Sequence, residues 1–433
     1  MKMPFALLII SGIFSTSALA QDVADDASTA ATPETTATEQ PPLSQPEPEA
    51  AATVEQVTPE AVPETTVAAQ PRLDPPETQS AVQTLGVSTS GFMRLGYRAI
   101  LQDDASPDFV GQNDGFYVES ARLNINLAGD TVSGRLSLDG AVNRYDARNT
   151  AEGEVSVSLL DAYFDYEVGG GVHVRTGQFR PAFDLEAART RDEMVFVDRA
   201  VYNRGVRGVD GFNTRGLGVS REVGLAIHGK FGASGSMHGE YQVALTNGEG
   251  SDSVVNDNEL PAASTRITIG YKSTVVVGLA SRFNRRTTGV APDRIAQDEL
   301  SLSADLQFAQ RLGANTLAIE GALSQRDVEI KEVGQEPSMT MLGFHAAAML
   351  SRGAVTLAYR YASYDPTAKF GETADGQLLE AFGSDTLVHH TVGLSYRLEQ
   401  APLTLQANFT AAQEDNARAY ANDRVDLLAQ LVF

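Results

Sequence analysis

Several residue types are missing or rare in this chain of 433 residues. Cysteine is absent, which excludes disulfide bonds and thiolate chemistry. No stretch beyond the N-terminus approaches the roughly 20 apolar residues that a membrane-spanning helix needs. After Lys2 the only lysines are Lys230, Lys272, Lys331 and Lys369, and the formal net charge is −23. An acidic chain with so few lysines is not expected to bind nucleic acid.

The first 84 residues divide into two segments, and neither has the composition of a folded domain. Residues 1–20 are typical of a secretory signal peptide, with Lys2 before an apolar run and small residues Ala18 and Ala20 at the cleavage site. Residues 21–84 hold twelve acidic residues and one basic residue among many Ala, Thr and Pro. Such a segment cannot bury enough apolar surface to offset its ordering entropy. We predict a disordered periplasmic arm, which either contacts the cell wall or a periplasmic partner or serves as a spacer.

The C-terminal residues 420–433 alternate between apolar and mostly polar side chains and end on Phe433. Because strand side chains face opposite sides with a period of two, this segment has one apolar face and one mostly polar face. The same alternation recurs in sixteen segments from about residue 85 onward, for example over residues 300–308. In a chain with a secretory signal, this pattern indicates a transmembrane β-barrel.

The connections between these segments are alternately short and long. Short turns rich in small residues lie at 129–130, 169–171, 232–235, 312–314 and 352–353. Long polar loops lie near 102–115, 143–154, 180–215, 247–262, 286–297, 327–338 and 365–384. Outer-membrane barrels have short periplasmic turns, longer extracellular loops and strands of about 9–11 residues. We therefore predict that residues 85–433 form an all-β, sixteen-stranded antiparallel transmembrane β-barrel (a porin) in a Gram-negative outer membrane, in contact with its lipid.

The competing fold is a large soluble β-helix or double sandwich. That fold would also alternate, but it requires neither one apolar face on every strand nor the strict alternation of loop lengths. Sixteen strands enclose a water-filled channel, so the predicted activity is passive diffusion of small hydrophilic solutes. The sequence contains no Gly-x-Ser-x-Gly motif and no His/Glu spacing for a metal, so we expect neither an enzyme nor a cofactor.

Arginines recur on the polar faces of the predicted strands. An arginine on the lipid face costs roughly 2–4 kcal/mol at the membrane midplane, so these side chains are expected to face the lumen. They either belong to the mixed charges of any water-filled barrel or form a path for anions. The wall arginines are Arg94, Arg98, Arg122, Arg135, Arg175, Arg266, Arg282, Arg326, Arg360 and Arg397.

The longest predicted loop, 180–215, lies in an arginine-rich part of the chain. Residues 175–222 hold nine arginines and seven acidic residues, a net charge of +2 within an acidic protein. A loop that folds into the barrel would narrow the pore and present guanidinium groups, which match oxyanions bidentately. A loop outside the barrel would carry the same residues as a solvated, self-paired surface. The candidate constriction residues are Arg180, Arg189, Arg191, Arg199, Arg204 and Arg207.

Two motifs resemble a known family. Residues 159–166 read LLDAYFDY and residues 174–183 read VRTGQFRPAF. Together with Arg215-Gly216-Leu217-Gly218-Val219 they are similar to the phosphate- and polyphosphate-selective porins (porin O and P type) of Gram-negative outer membranes. The resemblance implies a homotrimeric sixteen-stranded porin whose third extracellular loop, here 180–215, folds inward.

The resemblance also bears on the solute. Family members that bind phosphate combine a series of arginines with a cluster of lysines. This chain has the arginines but only four lysines after its signal. The resemblance, taken with this composition, therefore implies that the solutes are small and anionic or polar. We expect a preference for anions, phosphate-like ions included, but not specificity for phosphate. The alternative is a structural or adhesive outer-membrane barrel with a plugged or non-selective pore, which conductance would distinguish from a porin.

Overall fold

The computed structural model describes most of the predicted barrel. The described residues are 85–101, 114–142, 155–205, 215–232, 236–248, 250, 256, 258, 260–288, 294–331, 338–370, 386–414 and 423–433. The predicted signal peptide (1–20), the predicted arm (21–84) and most of the loops predicted near 102–115, 143–154 and 365–384 lie outside these residues.

Sixteen strands close into one antiparallel barrel, which confirms the predicted fold class. Each strand pairs with its neighbours in the sequence, and the last strand pairs with the first. The strands are β1 Gly86–Ile100, β2 Gly115–Ala128, β3 Val132–Val142, β4 Val155–Gly169, β5 Val172–Phe179, β6 Glu222–Phe231, β7 Met237–Thr246, β8 Ala262–Tyr271, β9 Val275–Thr288, β10 Ile295–Leu312, β11 Asn315–Lys331, β12 Ser338–Arg352, β13 Val355–Phe370, β14 Leu387–Arg397, β15 Leu403–Glu414 and β16 Arg424–Val432.

The described helical segments all lie between β5 and β6. They are α1 Leu185–Ala188, a 3₁₀ turn Arg191–Glu193 and α2 Val201–Arg204. Within the described residues, no helix is long and apolar enough to cross a membrane.

The two faces of the wall follow the predicted alternation. On β10, Leu300 and Leu302 are 45% and 47% exposed, whereas Ser301 and Ser303 between and beside them are 3% and 5% exposed. Large apolar side chains therefore cover the outer surface, where lipid solvates them. Polar and charged side chains face inward, where a charge avoids the cost of burial in hydrocarbon.

One side chain of β2 faces the opposite way from the sequence prediction. Alternation assigns Tyr117 to the apolar face, but the β1–β2 register shifts between Arg94 and Leu95, which leaves Glu119 as an extra residue. As a result, the Tyr117 hydroxyl lies inside the barrel and donates to Asp426 Oδ1 at 3.4 Å. The prediction for Tyr117 was wrong because a β-bulge interrupts the period of two.

Some strands are longer than the predicted 9 to 11 residues. β10 has 18 residues and β11 has 17. They pair as far as Ala296 and Lys331, in stretches that the sequence assigned to loops. These ends are rich in polar residues, so the hairpin continues as a strand beyond the apolar part of the wall.

The barrel closes at the C-terminal residue. Beyond the last bonded pairs of β16, Gly91 N donates to Phe433 O at 2.8 Å and Phe433 N donates to Gly91 O at 2.9 Å. The predicted terminal strand thus completes the sheet with its final aromatic residue.

Candidate functional site

The segment between β5 and β6, which we term the lumen loop (residues 180–215), packs against the inner wall. Its described residues include Ala200, Val201 and Tyr202, which are fully buried against Ala362 and Tyr364 of β13. Since the side chains of Ala362 and Tyr364 are on the inward face, the loop lies inside the barrel. Residues 206–214, among them the candidate Arg207, lie outside the described part of the chain.

Short helical turns give the lumen loop its local shape. Asp184 caps α1, where its carboxylate accepts a hydrogen bond from Ala187 N at 2.5 Å. The same carboxylate accepts from Asn203 Nδ2 at the end of α2. A side-chain oxygen at the N-cap satisfies a backbone donor that the short helix leaves free. Asp184 therefore joins α1 to α2.

Wall side chains hold the backbone of the lumen loop from several strands. In each case an inward-facing arginine or glutamine donates to a loop carbonyl, which satisfies a buried polar group. The donors are Arg94 of β1 to Val197 O (3.3 Å), Arg266 of β8 to Phe183 O (2.7 Å), Gln406 of β15 to Met194 O (2.8 Å) and Gln430 of β16 to Asp192 O (3.0 Å). Because β8 lies across the barrel from the adjacent strands β15, β16 and β1, the loop crosses the lumen.

Two of the predicted constriction arginines form ion pairs with carboxylates of the wall. Arg189 Nη2 lies 2.7 Å from Glu320 Oε2 of β11. Arg191 Nη1 lies 2.6 Å from Glu119 Oε1, the bulge residue of β2. In Arg189, burial alone would lower the pKa, but the bond to Glu320 raises it. The charge of Arg189 is therefore largely compensated, whereas Arg191 shares the single carboxylate of Glu119 with Arg94.

Arg180 and Arg199 have a different environment. Among the described residues, Arg180 Nη1 donates only to Ala187 O at 3.2 Å, and Arg199 Nη2 donates only to Arg189 O at 2.7 Å. Neither forms an ion pair within the described parts of the chain, and Arg180 Nε and Arg199 Nη1 are buried without a hydrogen-bond partner there. Both side chains are half-buried.

The electrostatics of Arg180 reflect a concentration of like charge. Burial lowers the pKa of the Arg180 guanidinium well below its usual value. The positive charges of Arg199, Arg221, Arg191 and Arg122 lower this pKa further. Arg180 thus lies in a region of positive potential, in contrast to the paired Arg189.

The predicted wall arginines lie on the inward faces but are mostly paired. Arg94 is fully buried and lies 3.0 Å from Glu119, and Arg98 lies 2.8 Å from Asp198 of the lumen loop. Further contacts of the predicted arginines are Arg122 with Asp139 (2.9 Å), Arg175 with Asp165 (2.8 Å), Arg135 Nε with Asn126 Oδ1 (3.0 Å) and, in the loop, Arg204 Nη1 with Gly205 O (3.0 Å).

Sequence reasoning missed several residues that position the lumen loop. Glu119 pairs with both Arg94 and Arg191, but alternation alone places it outward. Gln406 and Gln430 bind loop carbonyls and carry no signal beyond their inward position. Tyr202 of the loop contacts His345 of the wall, with 3.2 Å between the Tyr202 hydroxyl and His345 Nδ1. No cluster of three or more potential metal ligands occurs among the residues the structure describes.

The sequence profile of one family matches most of the barrel. The family described as phosphate-selective porin O and P matches residues 93–348. The chain belongs to this family. The protein is accordingly a passive channel of the Gram-negative outer membrane, as predicted, and its family and fold point to a channel rather than an enzyme. Among curated proteins, none matches this sequence.

Solved structures share the fold at low sequence identity. The outer membrane channel DcaP of Acinetobacter baumannii is 14% identical, with a TM-score of 0.55, and the match covers 81% of this chain and 97% of that chain. An anion-selective porin from Comamonas acidovorans is also 14% identical, with a TM-score of 0.51 and coverage of 81% and 100%. At this identity the likeness supports the barrel architecture.

Proposed function

We propose that the channel conducts small anions in preference to cations, and that Arg180 and Arg199 of the lumen loop set this preference. The observation that carries the proposal is the difference between the loop arginines. Arg189 and Arg191 are ion-paired with wall carboxylates, whereas the described contacts of Arg180 and Arg199 are bonds to backbone carbonyls. The proposal narrows the predicted set of constriction residues to these two.

The physical argument concerns net charge at a narrow place. A guanidinium paired with a carboxylate at about 2.7 Å projects a short-range dipole, whereas one without a direct carboxylate contact projects more of its charge into the lumen. For Arg199, the charges of Glu186 and Asp184 offset part of this field. Rings of positive charge select anions in this way. The unused N–H groups of Arg180 and Arg199 can also donate charge-assisted hydrogen bonds to a passing oxyanion.

Two comparisons support the same class of solute. The Comamonas acidovorans porin of similar fold is described as anion-selective, and the family as phosphate-selective. We extend the anion preference to this chain and treat phosphate as a candidate solute, because the chain has few lysines to complete a phosphate path. We also propose a homotrimer, which crosslinking or native mass measurement of the detergent-solubilised protein tests.

The deciding experiment is the reversal potential of the full chain in a planar bilayer under a potassium chloride gradient. We expect anion selectivity in the wild type and a chloride-over-potassium permeability ratio lowered by about threefold or more in the double variant R180A/R199A. Arg311→Ala is the matched control, because Arg311 is exposed at the β10–β11 turn and donates to Gly313 O there.

The outcomes separate the alternatives. An unchanged ratio in R180A/R199A would place the selectivity elsewhere in the wall. A wild type without anion preference would contradict the proposal, whereas a barrel without conductance would favour the structural or adhesive alternative. Inhibition of the chloride current by added phosphate would identify phosphate as a bound solute.

A further inference from the structure

A buried histidine lies where the lumen loop meets the wall. His345 of β12 has a side chain with 0% exposure. Its ring stacks on Tyr202 of α2 with 5.7 Å between centroids, and its Nδ1 is 3.2 Å from the Tyr202 hydroxyl. When that hydroxyl donates to Nδ1, the hydrogen of the neutral imidazole is on Nε2. His345 Nε2 is buried and has no hydrogen-bond partner in the described chain.

The unsatisfied nitrogen faces a carboxylate that the lumen loop already uses. His345 Nε2 lies 4.0 Å from Glu320 Oε1, beyond hydrogen-bond distance. The other oxygen of the same group, Glu320 Oε2, is 2.7 Å from Arg189 Nη2. Glu320 is therefore bonded to Arg189 of the lumen loop. It also lies next to His345, whose Nε2 has no hydrogen-bond partner in the described chain.

The other charged groups near His345 belong to the loop and to β13. Glu186 lies 3.1 Å from Arg360 of β13; burial alone would raise the pKa of Glu186, but the charge of Arg360 lowers it. Asp184 is fully buried, and burial raises the pKa of its carboxyl. A positive charge on His345 would lower the pKa of both carboxyl groups.

We propose that His345 is a specificity-determining residue: its protonated imidazolium shares Glu320 with Arg189, and the less compensated charge of Arg189 makes the lumen more anion-selective at acidic pH. The proposal rests on the anion preference proposed above. Imidazole side chains change charge between about pH 5 and 8, which is within the range that bilayer experiments reach. Arg189 is 28% exposed, so its charge acts on solutes in the lumen when Glu320 is shared.

The proton balance of the step is simple. One proton from solution binds His345, after which both ring nitrogens carry hydrogens. Nε2–H donates to Glu320 Oε1, and the Tyr202 hydroxyl rotates to accept from Nδ1–H. Arg189 then shares the Glu320 carboxylate with the imidazolium and keeps its contact with Gln307 Oε1 at 3.3 Å. The site therefore gains one positive charge, and that charge is shared with the loop.

The test is the reversal potential of the full-length channel at about pH 8 and about pH 5.5. We expect the chloride-over-potassium ratio of the wild type to rise by about twofold or more on acidification. In His345→Gln, which cannot take up the proton, we expect the rise to be absent. His228→Gln is the matched control, because His228 is an inward histidine of β6 already 3.1 Å from Asp165 Oδ1, and it should keep the rise.

Glu320→Gln provides a second measurement that does not require the histidine variant to fold. It frees Arg189 at every pH, so we expect a higher ratio than the wild type at about pH 8 and no further rise at about pH 5.5. A rise in His345→Gln equal to that of the wild type would overturn the proposal, as would a normal rise in Glu320→Gln. A wild type that is not anion-selective at about pH 8, yet shows a His345-dependent shift, would instead contradict only the proposed function.

Discussion

The arginines of the lumen differ from one another more in the groups that they contact than in their positions. Arg180, Arg189, Arg191 and Arg199 are all contributed by the same loop. Glu119 of β2 and Glu320 of β11 form ion pairs with Arg191 and Arg189, while Arg180 and Arg199 have no such contact in the described chain. The sequence could nominate all four, but it could not rank them, because the compensating carboxylates come from distant strands.

A buried ion pair gives a residue-scale prediction about stability. Arg266 binds Asp305 through two hydrogen bonds of 2.6 and 3.0 Å, and the Asp305 side chain is 0% exposed. Arg266→Ala leaves that carboxylate uncompensated, so we expect a loss of about 3–5 kcal/mol in the free energy of unfolding. Denaturant unfolding in detergent measures it. In the double variant R266A/D305A the loss should be smaller; an equal loss would assign the effect to packing.

At the scale of elements, the barrel was predictable and the lumen loop only in part. Alternation identified the strands because a membrane wall must be apolar outside and polar inside along its whole length. It failed at Tyr117, where one inserted residue reverses the faces of β2. The inward path of the loop depends on bonds such as Gln406 to Met194 O, between residues far apart in sequence, and no local pattern encodes them.

Gly343 of β12 leaves room for α2 of the lumen loop. A Cβ built on Gly343 of β12 would lie 2.2 Å from Cβ and 2.8 Å from Cγ of Tyr202. Gly343→Val should therefore displace α2 at a cost of about 1–3 kcal/mol and raise single-channel conductance. Gly115→Ala is the control, because a Cβ there meets no atom within 4 Å. Wild-type conductance in Gly343→Val would show that α2 does not limit the pore.

The Glu186–Arg360 pair predicts how the loop responds to strong acid. The pKa of Glu186 is lower in the folded loop than in an unfolded chain, so its stabilising effect is fully present above the unfolded value of about 4.3. That effect is lost as the pH falls through the lowered folded-state pKa. We expect channel noise and conductance to increase below about pH 4. Glu186→Gln should show the increase already at neutral pH, and a pH-independent trace in the wild type would argue against this role.

For the whole molecule, net charge and local potential have opposite signs. The chain carries −23, yet the proposed selectivity depends on positive charge around Arg180. Composition alone would therefore favour cations, in contrast to the proposed selectivity. Because surface charges are screened in the bulk while charges in a narrow lumen act at close range, the local arrangement decides.

Ionic strength tests this view of the whole channel. The Debye length falls from about 10 Å at 0.1 M salt to about 3 Å at 1 M. We expect the chloride-over-potassium ratio to decrease over this range of mean potassium chloride concentration at a fixed gradient ratio. Reversal potentials at both concentrations measure the change. A constant ratio would indicate direct coordination of the anion by the guanidinium groups instead of attraction by their field.

The closing contact between Gly91 and Phe433 has a consequence for how the chain is made. The first strand finds its second partner only in β16, the last strand of the barrel in sequence. Until β16 has been made, β1 has an unpaired edge of backbone donors and acceptors that can template aggregation. Formation of the ring is thus a late, long-range event, which makes folding slow and dependent on protection of that edge during transit to the membrane.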